Sequence, residues 1–162
     1  GTFAINRPME SFLSYYWRNK LSDANDKEAV DTLCAYYDAI SAEQYEAVPP
    51  LCTEVFTVIS LYGSATLTSD EAIIQTYKDL WATWEEQGIM KKIGYDRNQF
   101  KVIAVQENVK LIQTQLMNYD QAGEELNSWN CTYVMVKKEG KWLMSLATSD
   151  NEATTSIKDS ND

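Results

Sequence analysis

Residues 56–73 read FTVISLYGSATLTSDEAI, and the fold turns on how they are assigned. The neighbouring run VFTVISLY (55–62) is β-branched and aromatic, the composition of a strand. Thr68 and Glu71 stand three apart, the T-x-x-E pattern of a helix capping box. Ile73, Ile74, Tyr77, Leu80, Trp81 and Trp84 then recur at helical spacing. Gly88 follows them as a suitable residue just past a helix end. The stretch is therefore expected to be a strand that runs into a capped, amphipathic helix.

Upstream, Val30, Leu33, Tyr37 and Ile40 form another apolar stripe, with caps offered at Asn25 and Asp26. AEQYEAV (42–48) is expected to be a short second helix stopped by Pro49 and Pro50. Earlier still, FLSYYW (12–17) places Phe12, Leu13, Tyr16 and Trp17 on one helical face. Downstream the pattern changes to short strands at about 92–96, 100–106, 109–119, 127–138 and 141–149. Turn signals separate them at 96–98, 107–108, 121–123 and 139–140. Helices, a strand, a helix and then an antiparallel meander describe an α+β protein with helices on one face of a bent sheet. The chain divides into an N-terminal extension with a short helix (1–26), one domain (27–150) and a polar tail (151–162).

Composition narrows the function. The 162 residues suit one domain with one core. A net charge of −10 would repel a phosphate backbone, so no nucleic-acid partner is expected. Lys137, Lys138 and Lys141 surround Gly140 and read as a solvated hairpin. No apolar run approaches the roughly 18 residues of a membrane span. The chain has no histidine, which removes the usual general base and the commonest metal ligand. Carboxylates show no ligand spacing, so neither metal nor cofactor is expected. Cys34, Cys52 and Cys131 lack metal or redox spacing and read as buried free thiols. Such thiols suit a reducing compartment. Gly1 is not an initiator methionine, so the sequence is also compatible with a removed export signal.

Three segments, CAYYDAISAEQYEAV, FTVISLYGSATLTSDEAIIQTYKDLW and CTYVMVKKEGKWLMSL, resemble the nuclear transport factor 2-like superfamily. That superfamily includes ketosteroid isomerases and SnoaL-like polyketide cyclases. The resemblance spans roughly residues 27–150 and is ungapped from 36 to 77. It implies a cone-shaped α+β fold, cystatin-like, with N-terminal helices packed on a strongly bent, mostly antiparallel sheet. It also implies roles. Tyr36 falls where the isomerases hold a developing oxyanion, and Tyr77 where a second tyrosine supports the first. Ser60 stands at the position of the carboxylate base. Thr132, counted back from Gly140, stands at the position of the second acid. Both tyrosines are thus retained and both acids are absent. A serine without a partner to take its proton is a poor base.

Strand alternation extends this reading. If Thr132 faces the cone, so do Asn130, Val134 and Val136, with Leu143, Ser145, Ala147 and Ser149 beside them. Phe56, Val58, Ser60 and Tyr62 join from the first strand. The expected ligand contacts are Tyr36, Ser60, Tyr62, Tyr77, Trp81, Asn130, Thr132 and Ser145, with Tyr36 as the one catalytic candidate. The opposite face would then carry Cys131, Tyr133, Met135, Trp142, Met144 and Leu146. An apolar patch of that kind implies a homodimer through this face. Three functions follow. One is a pocket that binds a small neutral or aromatic molecule. The second is an isomerase, cyclase or dehydratase acting by proton transfer next to a carbonyl. The third is a non-catalytic association module.

Overall fold

The computed structural model describes residues 24–61 and 63–150. The FLSYYW segment, Tyr62 and the polar tail lie outside them. Helix α1 spans Ala24–Ser41, starting just before the expected caps. Its Val30, Leu33, Tyr37 and Ile40 are almost wholly buried, as their spacing requires. The segment expected as a second helix forms two single 3₁₀ turns instead, Tyr45–Ala47 and Pro49–Leu51. Pro49 begins the second turn, where its missing N–H costs nothing.

The opening stretch holds more than a strand and a helix. Strand β1 (Cys52–Ser60) pairs antiparallel with β2 (Gly63–Leu67), from Ser60↔Gly63 to Phe56↔Leu67. Gly63 takes φ +129°, open to glycine but costly for other residues. Helix α2 spans Asp70–Glu86. Its cap is Ser69, whose side chain accepts the Ala72 N–H at 3.1 Å, and not Thr68. Thr68 is one residue too early because β2 runs to Leu67.

Strands β3 (Gly94–Tyr95), β4 (Lys101–Gln106), β5 (Val109–Tyr119), β6 (Glu125–Lys138) and β7 (Lys141–Ser149) complete the sheet. The order is β2-β1-β7-β6-β5-β3, with β4 also pairing to β5. Among the described strands only β1 and β7 pair parallel. The β6–β7 hairpin turns through Glu139 and Gly140, both at positive φ, as a two-residue turn of this hand demands. Both helices pack on one face of the sheet. Trp81 ties them together, its Nε1 donating to the Ile40 carbonyl at 2.6 Å. Thr32 ties α1 to the sheet by donating to the Trp142 carbonyl at 2.8 Å.

The two sheet faces are the reverse of the expectation along β6. Trp129, Cys131, Tyr133 and Met135 are buried under the helices, while Asn130 is exposed and Thr132, Val134 and Val136 are half-buried on the outside. Trp142 and Met144 lie inside as well. Tyr133, Met135, Trp142 and Met144 therefore form no exposed dimer patch. The physical reason is volume. The aromatic and sulfur-bearing set fills the space beneath α1, whereas the Asn, Thr and Val set is too small and too polar to do so. On β7 the phase changes midway. Val134 pairs with Leu146 and Met135 with Met144, which leaves Ser145 as the extra residue of a bulge. Beyond that bulge Ala147 pairs with the inward Tyr133, while Leu146 stays with the outward Val134.

Candidate functional site

The space enclosed by helices and sheet narrows to a cavity of about 70 Å³. Helix α1 contributes Tyr36 and Tyr37, and α2 contributes Thr76, Tyr77 and Leu80. Val58 enters from β1, Leu116 from β5, and Trp129, Cys131 and Tyr133 from β6. Ala147, Thr148 and Ser149 close it at the end of β7, beside Ile93. Adjacent tyrosines on one helix both reach this space because α1 is buried across a wide face.

Four phenols form the wall. The Tyr36 ring lies 5.0 Å from Tyr37, 5.4 Å from Tyr77 and 6.5 Å from Tyr133, centroid to centroid. Tyr37 and Tyr133 are 6.2 Å apart. Most of these contacts are edge-on, the favoured geometry for aromatic pairs. Burial pushes the ionisation of all four well above the ordinary phenol range. The nearby Tyr77 hydroxyl partly offsets this at Tyr36. Burial likewise raises the Cys131 thiol to about 11. Every titratable group of the lining is thus neutral near pH 7, and no carboxylate, lysine or arginine is among the described lining residues.

Two buried donors in this wall are left over. The Tyr37 hydroxyl and the Trp129 indole N–H have no hydrogen-bond partner among the described residues. Tyr133 is close enough to ease ionisation of Tyr37, and Trp129 that of Cys131, but neither approach has the geometry of a bond.

A second concavity lies at the rim, with a volume of about 360 Å³. Its lining is Ile59, Ser60, Leu61, Gln113, Asn130, Thr132, Thr148, Ser149 and Asp150. It is wide and polar, and it opens across the outer sheet face.

The expected site residues separate between these places. Tyr36 and Tyr77 meet in the inner cavity. Ser60, Asn130 and Thr132 stand in the outer cleft, so the alternation argument put Asn130 and Thr132 on the wrong side. The Ser60 hydroxyl reaches the Gly63 carbonyl at 3.4 Å, across the hairpin end. Trp81 is buried core between the helices, and Ser145 is the bulge residue. Tyr62 lies outside the described residues. The inner positions that the count from Gly140 missed are Cys131 and Tyr133, either side of Thr132. The alternation of bulky and small residues along β6 carried that signal.

Other clusters stay away from the cavity. Arg97 pairs with Asp31 at 2.5 Å and Tyr95 donates to Asp38 at 2.9 Å, all on the exposed side of α1. The three cysteines are free and buried. Among the described residues no group of His, Cys, Asp or Glu could hold a metal, and no helix is long and apolar enough to cross a membrane.

No family model matches this sequence, and no curated protein matches it. Solved structures do. A protein of unknown function with a cystatin-like fold from Nostoc punctiforme superposes with a TM-score of 0.63 at 14% identity, covering 79% of this chain and 92% of the other. A nuclear transport factor 2-like protein of unknown function from Shewanella oneidensis gives 0.59 at 12% identity, covering 77% and 98%. A ketosteroid isomerase-like protein from Erwinia carotovora gives 0.58 at 12%, covering 76% and 93%. The chain has the cystatin-like, nuclear transport factor 2-like fold. At this level of identity the likeness carries the fold and no activity.

Proposed function

We propose that the inner cavity binds a small neutral molecule with an aromatic or apolar body and does not transform it. The observation that carries this reading is the composition of the wall: four neutral phenols, apolar side chains and no ionised group among the described lining residues. A charged ligand would be desolvated there without a counter-charge. A flat apolar one meets ring faces and edges. The cavity of about 70 Å³ limits the buried part to a few heavy atoms. Proton transfer next to a carbonyl, the alternative, needs a base. The titratable groups that act on Tyr36 are Tyr77, Cys131 and Cys52, and none is an anion near neutral pH. The test is a tryptophan-fluorescence titration with acetophenone and p-cresol. Saturable quenching is expected, weakened at least about tenfold when Ala147→Leu fills the cavity. Equal binding by that variant would place the ligand elsewhere.

A second reading concerns association. The outer sheet face presents an apolar row across four strands, Ile103↔Leu111↔Val134↔Leu146, beside a second row of Val109, Val136 and Leu143. Ile103 is 38% exposed. We infer that a second copy of this chain covers these rows in a two-fold homodimer, since an apolar face that meets its own copy suits such symmetry. Sedimentation equilibrium tests it; a monomer at all concentrations would remove it.

A further inference from the structure

We propose that the inner cavity and the outer cleft hold one ligand between them, a neutral amphiphile whose small apolar or aromatic head sits inside the cone and whose hydroxyl-rich tail, a sugar or polyol, lies in the cleft. This rests on the pocket reading above and goes beyond it, because it adds the polar half of the ligand and the residues that meet it. The first observation is size. The inner cavity holds about 70 Å³, whereas pockets for whole small molecules run to about 300–1,000 Å³. The cleft, at about 360 Å³, reaches that range. The second observation is position. Of the described residues that line the inner cavity, Val58, Thr76, Ala147, Thr148 and Ser149 are half-buried and the others are buried. The mouth of the cavity is therefore at the end of β7. Thr148 and Ser149 line the outer cleft as well, so a molecule that projects from the mouth enters the cleft. Thr148 is a fixed lip between the two, since its hydroxyl accepts the Thr132 N–H at 3.3 Å and donates to the Thr132 carbonyl at 3.2 Å.

The chemistry of the tail follows from the cleft. Gln113, Asn130 and Thr132 bring two side-chain amides and a hydroxyl to it from neighbouring strands, with Gln113 directly opposite Thr132. Amides and hydroxyls both donate and accept, as the hydroxyls of a sugar do. Asp150 adds a carboxylate, and no lysine or arginine is among the described lining residues, so an anionic tail would meet no counter-charge. Ile59 and Leu61, 40% and 58% exposed, offer an apolar edge to the C–H face of a sugar ring. The apolar rows of the outer face stop at Val134 and Leu146, one step short of Thr132 and Thr148, so a second copy seated on those rows borders the cleft.

Anisole and phenyl β-D-glucopyranoside share the aryl ether and differ in the sugar, so they form the test. Affinities are read by NMR titration of the backbone amides of the full chain. Wild type is expected to bind the glucoside at least about tenfold more tightly, as two net hydrogen bonds imply. The double variant Gln113→Ala, Asn130→Ala changes two exposed positions and leaves the core alone. It is expected to lose most of that preference. Phenyl β-D-glucuronide, which carries a carboxylate in place of the hydroxymethyl group, is expected to bind more weakly than the glucoside. Equal affinity for anisole and the glucoside in wild type overturns the two-part ligand and leaves the pocket reading standing. Methyl β-D-glucopyranoside binding as tightly as the phenyl glucoside also overturns it, since no head is then anchored. A preference that survives the double variant overturns the assignment of the tail to the cleft, and a glucuronide that matches the glucoside overturns the neutral tail. Binding of neither anisole nor the glucoside at millimolar concentration overturns both readings.

Discussion

The ring of Tyr133 stands edge-on to that of Tyr36, with centroids 6.5 Å apart and planes at 70°. That contact fixes the inner face of β6 and, through it, the lining of the whole cavity. Its neighbour Thr132 points the other way. The two side chains should therefore differ sharply in their weight. Tyr133→Ala is expected to cost about 3–5 kcal/mol, the range for deleting a buried aromatic. Thr132→Ala should stay within about 1 kcal/mol, as an outward polar position does. Urea unfolding of both variants checks this, and a reversed order would invert the sheet again.

The pair Asp26 and Lys110 is buried at the start of α1, with Lys110 also over the Trp142 ring at 5.3 Å. One carboxylate oxygen of Asp26 has no partner among the described residues. Removing either charge leaves the other buried alone, so Asp26→Asn or Lys110→Met should each cost about 3–5 kcal/mol. Replacing both by apolar residues of similar size should recover most of that loss. A double-mutant cycle reads the difference, and additive single losses would show that the two do not act as a pair.

Burial raises the thiols of Cys52 and Cys131 to about 12 and about 11, from an ordinary value of 9.0, and it raises the four cavity phenols as well. In the unfolded chain these groups lose their protons first. The unfolded state then holds fewer protons than the folded one, so stability must fall as pH rises. The contribution is complete below about pH 9 and declines through pH 11–12, by roughly 1.4 kcal/mol per unit for each group that titrates only when unfolded. Urea midpoints measured from pH 7 to 11 should be flat and then drop. A rise across pH 9–11 would contradict the buried placement of these groups.

The outer rows around Val134 and Leu146 lie half-buried in one chain. Leu146→Lys, or Val134→Lys, is expected to convert a dimer to a monomer, because two lysines would face each other across the two-fold axis. Unchanged mass in light scattering would place the interface elsewhere.

Much of this arrangement was legible in residue patterns. The stripes of α1 and α2 and the spacing of the β5–β7 meander gave the fold class, since each follows from a single local period. The cap at Ser69 and the β1–β2 reversal were not legible. The apolar and small residues that follow Leu61 fit an extended chain whether it stays straight or folds back, and only Gly63 hinted at the turn. The inverted faces of β6 had a different cause. Their phase was set by counting back to Thr132, although the contrast of Trp129, Cys131, Tyr133 and Met135 with Asn130, Thr132, Val134 and Val136 already pointed to the bulkier set as core. The bulge at Ser145 has no signature in composition. It flips the phase between Met144 and Ala147, which is why Ala147 and Ser149 reach the cavity as expected while Thr132 does not. The pairing of Asp26 with Lys110 joins positions far apart in sequence, and no local pattern announces it.

The central claim is that a neutral ligand belongs inside the cone, among Tyr36, Tyr37 and Tyr133, and not in the polar cleft on the outer face. A crystal structure of the protein soaked with cyclohexanone tests it most directly. Density for the ring is expected in the inner cavity, against the tyrosine rings. Density in the outer cleft beside Asn130, Thr132 and Thr148, with the inner cavity empty, would contradict it.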